Sequence, residues 1–106
     1  MLKKIQINKP GSYDTLQLIE QDIPQVAANQ VLIEVKACGV NYADSIVRMG
    51  LYASAKELHG YPITPGFEIA GIVSHVGSEV KKFKSGDEVL ALTLFGGYCS
   101  HIVLSE

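Results

Sequence analysis

The sequence predicts an all-β fold, a barrel or sandwich carrying one short helix. Three observations predict it: short runs of alternating apolar and polar residues recur along the chain, turn residues separate them, and a helical period occurs only once. Residues Leu2–Ile7 form the first alternating run, and Lys9, Pro10, Gly11 and Ser12 turn the chain into a second over residues 16–22. In the third, Val31, Ile33 and Val35 face one way while Leu32, Glu34 and Lys36 face the other.

Residues 41–49 break the pattern. Ala43, Ile46 and Val47 recur at helical intervals, Asn41 stands at the N-cap with Asp44 three residues on, and Gly50 is a fitting stop. Capping alone accounts for both Asn41 and Asp44. Residues 51–65 contain Gly60, Pro62 and Pro65 and read as a long irregular loop, of the kind that often forms a lid or binding wall. Strands follow over residues 67–76, 88–92 and 98–104, separated by turns at residues 76–79 and 84–87. Gly66 and Gly71 allow a close backbone approach or a bulge. No internal repeat is present.

At 106 residues the chain is one domain's worth of sequence. A formal net charge of −2 gives no electrostatic reason to expect nucleic acid or an anionic membrane as a partner. No apolar run approaches the roughly 20 residues that span a bilayer, and no signal-peptide core follows Met1, so a cytoplasmic location is expected. Cys38 and Cys99 lie far apart without a C-x-x-C partner, which favours free thiols, although geometry rather than spacing decides whether they pair. His59, His75 and His101 form no metal-binding pair and read as surface or half-buried residues.

Four motifs occur in fixed order: A-C-G-V-N-Y-A-D, R-M-G-L-Y, P-G-F-E-I-A-G and S-G-D-E-V. Together they resemble the N-terminal, GroES-like catalytic domain of the medium-chain dehydrogenase/reductases, in the zinc-independent quinone oxidoreductase (zeta-crystallin-like) branch. The resemblance covers nearly all of residues 1–106 and implies a mainly β, partly open barrel. It also implies a Rossmann cofactor domain, and neither G-x-G-x-x-G nor G-x-x-x-x-G-K-[ST] occurs here, so a truncated piece of a larger enzyme is expected.

By the same resemblance, Asn41 stands where zinc-dependent relatives place a thiolate and Phe67 where they place an imidazole. Neither side chain is a zinc donor, so no metal site is expected. The resemblance places Asn41 and Asp44 beside the nicotinamide of the cofactor, where a carboxamide can donate and accept without changing charge. Tyr52 matches a tyrosine that orients or protonates substrate, and a phenol that stays protonated can donate to a carbonyl oxygen as charge builds. Without the family, Tyr52 reads as a loop aromatic packed over the barrel. Glu68 is expected to be structural and Phe67 to fill apolar volume.

The implied function is hydride transfer from NADPH to a quinone or enone. Two alternatives are an enoyl-thioester reductase and a non-catalytic GroES-like binding or oligomerisation module. The 106 residues alone are not expected to bind NADPH tightly, and an exposed apolar wall is expected to make them a homo-oligomer.

Overall fold

The structure is a computed structural model describing all 106 residues. Strands β1 (Leu2–Ile7) and β2 (Leu16–Gln21) form an antiparallel hairpin, with a 3₁₀ turn at Tyr13–Thr15 leading into β2. A second antiparallel sheet has the order β5-β4-β3-β6, built from β3 (Gln30–Cys38), β4 (Glu68–Val76), β5 (Glu88–Leu92) and β6 (His101–Ser105). One helix, α1 (Tyr42–Met49), joins β3 to the segment before β4. The mainly β architecture is the one expected, with two sheets and an open side in place of a closed barrel.

The segment Tyr98, Cys99, Ser100 ties the two sheets together. The Ile5 N–H donates to the Tyr98 carbonyl at 2.9 Å and the Ser100 N–H to the Lys3 carbonyl at 2.7 Å. On the other side, the Val35 N–H donates to the Ser100 carbonyl at 2.8 Å. The strand expected over residues 98–104 therefore begins its ladder with β3 only at His101, because its first residues are divided between β1 and β3.

Two apolar clusters hold the fold. Val31, Ile33, Ile69 and Val73 meet on one face of β3 and β4, whose register places Ile33 opposite Val73. Gly71 faces Val35 in that ladder, and a Cβ there would stand 2.4 Å from the Glu34 carbonyl oxygen, so the expected close approach is real. Ile7, Val47, Ala55, Ile63 and Phe95 form the other cluster, with Tyr52, Tyr61 and Phe67 packed against it. Each fully buried aliphatic side chain such as Val47 or Ile63 contributes about 1.5–3 kcal/mol.

Residues 51–65 differ from the expected irregular loop. A wide helical turn spans Ala55–His59, closed by the Gly60 N–H donating to the Ala55 carbonyl at 2.6 Å. Ala55, Lys56, Glu57 and Leu58 are adequate helix formers, and burial of Ala55 anchors the turn in the core. The prolines that argued for a loop all lie beyond it. On β5, Val89 and Ala91 pack inward while Leu90 and Leu92 remain 86% and 84% exposed. This edge strand is thus apolar on both faces, a composition suited to being covered.

Candidate active site

The start of α1 has the geometry its sequence predicts. Asn41 is extended (φ −120°, ψ 154°), and Gly50 closes the helix in the left-handed region at φ 79°. Asp44 Oδ2 accepts the Asn41 N–H at 2.9 Å, completing that side of a capping box. The same oxygen accepts the Tyr98 O–H at 2.6 Å. Asp44 is only 5% exposed, and its Oδ1 is buried with no hydrogen-bond partner in the chain. An acceptor left open in an interior is uncommon and costly, so it fits a donor arriving from outside these residues. Asn41 itself is exposed at the rim.

Tyr98 connects this cap to the sheets. Burial, reinforced by the hydrogen bond to and negative charge of Asp44, pushes its phenol well above the ordinary value of 10.0, and burial also raises Tyr61. A phenol raised on folding stabilises the native state fully below its unfolded value, and that contribution is lost as pH rises toward the folded value. Stability is therefore expected to fall progressively above about pH 10. Tyr98→Phe should flatten this alkaline limb without removing the part due to Tyr61. Denaturant midpoints of both proteins across the alkaline range check this, and limbs of equal slope would contradict it.

Tyr52 lies beyond the other end of α1, a helix about 12 Å long at 1.5 Å per residue. Its half-buried ring lies 5.7 Å from Phe67 and 6.1 Å, edge-on, from Phe95. Phe67 and Phe95 are 5.4 Å apart, and His59 meets Phe95 edge-on at 5.7 Å. Of the five tyrosines, Tyr61 and Tyr98 have hydroxyls hydrogen-bonded within the chain, Tyr61 to the Val47 carbonyl and Tyr98 to Asp44. The Tyr52 hydroxyl is uncommitted. The structure thus joins Asn41 with Asp44 at the head of α1 and Tyr52 with Phe67 in the aromatic group, and the Gly39 N–H donating to the Glu68 carbonyl at 3.1 Å ties the chain entering α1 to the strand that follows Phe67.

A groove of about 590 Å³ runs beside the chain entering α1, lined by Cys38, Gly39, Glu68, Ala70, Leu90 and Leu92 among others. The Glu68 side chain lies over Gly39, where a Cβ would stand 1.9 Å from its Oε1. Neither ion pair of the chain, Lys3 with Glu20 or Lys36 with Glu34, involves Glu68. Cys38 and Cys99 are both free thiols, and burial pushes Cys99 up to about 11. No three His, Cys, Asp or Glu side chains gather closely enough to hold a metal ion.

Two residues important to this geometry escaped sequence reasoning. Phe95 is buried at the centre of the aromatic group with φ 70°, a left-handed conformation uncommon for an aromatic residue. Tyr98 supplies a donor to Asp44. Both flank Gly96 and Gly97, and that glycine pair was the available signal of an irregular backbone.

Comparison with known proteins agrees with this architecture. Residues 27–105 match the alcohol dehydrogenase GroES-like domain. A quinone oxidoreductase of Sus scrofa is 39% identical over 108 aligned residues, which cover 100% of this chain and 32% of that protein. The structure of Escherichia coli quinone oxidoreductase complexed with NADPH superposes with a TM-score of 0.87 at 38% identity, over 97% of this chain and 31% of that one. The CurK enoyl reductase structure gives 0.88 at 33% identity, over 98% and 33%. The chain thus spans about a third of the length of these relatives. It belongs to the alcohol dehydrogenase GroES-like domain family, on the quinone oxidoreductase side of the medium-chain dehydrogenase/reductases.

Proposed function

We propose that these residues form the substrate-side, N-terminal domain of a zinc-independent reductase that works with NADPH on quinones or enones, the cofactor being held jointly with a Rossmann domain. The observation that carries the reading is the pairing of a rim carboxamide, Asn41, with the buried, partnerless Asp44 Oδ1 at the head of α1. Both are acceptors available to a carboxamide-bearing ring, and Asn41 also donates. Bound NADPH would supply the hydride. The Escherichia coli relative seen with NADPH supports the choice of cofactor.

The chain's own part is binding and polarisation. Asn41 and Asp44 would hold the ring, with Tyr98 and the helix cap keeping the Asp44 carboxylate in place. Tyr52 would donate its uncommitted O–H to the substrate oxygen as negative charge develops there. Phe67 and Phe95 fix the plane of the Tyr52 ring by contact on two sides, which limits where its hydroxyl can point. The apolar face displayed by Leu90 and Leu92 is a surface that a cofactor domain or a second copy would cover.

NADPH oxidation by a simple quinone tests the proposal. A protein carrying this chain and its cofactor domain should consume NADPH when p-benzoquinone is added, and the 106 residues alone should bind NADPH weakly. Absence of turnover in the longer protein would contradict the reductase reading. The CurK relative favours a second reading, reduction of enoyl thioesters, and a higher kcat/KM for an enoyl thioester than for the quinone would select it.

A further inference from the structure

A second cleft, of about 380 Å³, opens between β1 and the segment leading into β6, and none of Asn41, Asp44 and Tyr52 lines it. Lys4, His59 and His101 all line it, and none of its 15 lining residues is Asp or Glu. That is two of the three histidines and no acidic residue in a chain that carries 11 acids against nine lysines and arginines. Leu2, Lys4 and Gln6 project from one face of β1 by strand alternation. Lys4 is half-buried, and neither ion pair of the chain includes it. No carboxylate of the chain is paired with its ammonium, which leaves it free to meet an incoming anion.

The imidazoles are oriented by their neighbours. His59 Nδ1 lies 2.7 Å from the Gly60 carbonyl, which can only accept, so Nδ1 carries hydrogen and Nε2 is left open. His101 Nδ1 lies 2.9 Å from Ser100 Oγ. That hydroxyl accepts the Lys3 N–H at 2.8 Å and still has its own hydrogen to give to Nδ1, and in that tautomer the His101 Nε2–H is a donor. Glu34 faces His101 across the β3–β6 ladder, but its carboxylate is held by Lys36 at 2.7 Å and does not line the cleft. The remaining wall is apolar, with Ile63, Leu94, Phe95 and Ile102.

We propose that this cleft binds a small organic carboxylate, its anionic head on Lys4 and the His101 N–H and its apolar body against Phe95 and Ile102. Head and body must both be present. Lys4 and His101 supply charge and direction, while the apolar wall offers nothing to a fully hydrated ion.

Benzoate, benzamide and inorganic phosphate, titrated separately into the 106-residue protein and followed by amide NMR shifts, test the assignment. Benzoate should move the amides of Lys4, Gly96 and Ile102 saturably, and benzamide and phosphate should bind far more weakly. Lys4→Gln should weaken benzoate about tenfold. Lys4→Arg should retain it, and Lys84→Gln, on an exposed turn outside the cleft, should leave it unchanged. Dispersed spectra of each variant establish that it is folded. Benzamide or phosphate binding as tightly as benzoate, or benzoate binding equally to wild type and Lys4→Gln, would overturn the proposal.

Discussion

Gly66→Val should lower the thermal midpoint by about 15 °C or more, the larger of the two stability and activity effects expected from the site's surroundings. Gly66 has φ 111°, where an L-residue is strained, and a Cβ there would stand 2.8 Å from Gly97 Cα and 2.9 Å from the Tyr98 nitrogen. These are backbone atoms, fixed by the Tyr98 N–H donating to the Pro65 carbonyl at 2.9 Å and the Gly96 N–H to the Thr64 carbonyl at 2.7 Å. Strain of about 1–3 kcal/mol adds to a comparable cost of overpacking. Gly60→Ala separates the two terms, because φ there is 80° but nothing stands within 4 Å of the added carbon. It should cost about 1–3 kcal/mol, the backbone strain alone. Thermal melts of the two variants check this, and equal midpoints would show that the Gly66–Gly97 contact does not constrain the fold.

Tyr52→Phe, in a protein that also carries the cofactor domain, should reduce kcat/KM for quinone by about 100-fold. The ring and its contacts with Phe67 and Phe95 are retained, so the thermal midpoint should stay within about 3 °C of wild type. Loss of a donor to a developing oxyanion falls on kcat, whereas loss of simple packing would fall on stability. Steady-state kinetics beside a thermal melt separates them. Unchanged kinetics would remove Tyr52 from the chemistry and leave it an aromatic packed over the core.

Where residues act through local rules, the sequence was a sufficient guide. The Asn41-to-Gly50 helix followed from its cap, its apolar spacing and its glycine stop, and β1 and β5 lie at the expected residues because short apolar-rich runs bounded by turn residues mark strands. Gly71 announced a close approach that the Glu34 carbonyl makes real. What could not be read was pairing between distant segments. Tyr98 meets Asp44 across 54 residues, and the division of Tyr98 and Ser100 between β1 and β3 leaves no periodic trace. The turn at Ala55–His59 was masked by the prolines that follow it, and it forms because Ala55 is buried beneath it. Likewise, the family motifs supplied Asn41 and Tyr52 as candidates, but not the positive φ of Phe95 that places a third ring beside Tyr52.

The central claim of the proposed function is that substrate is polarised by neutral hydrogen-bond donors, with Asn41 and Phe67 standing where the family resemblance puts the metal ligands of zinc-dependent relatives. Quinone reduction by the full-length protein after exhaustive chelation, with its metal content measured on the same sample, tests this most directly. The account predicts undiminished kcat/KM with far less than one equivalent of zinc. Activity lost on chelation and restored by stoichiometric zinc would contradict it.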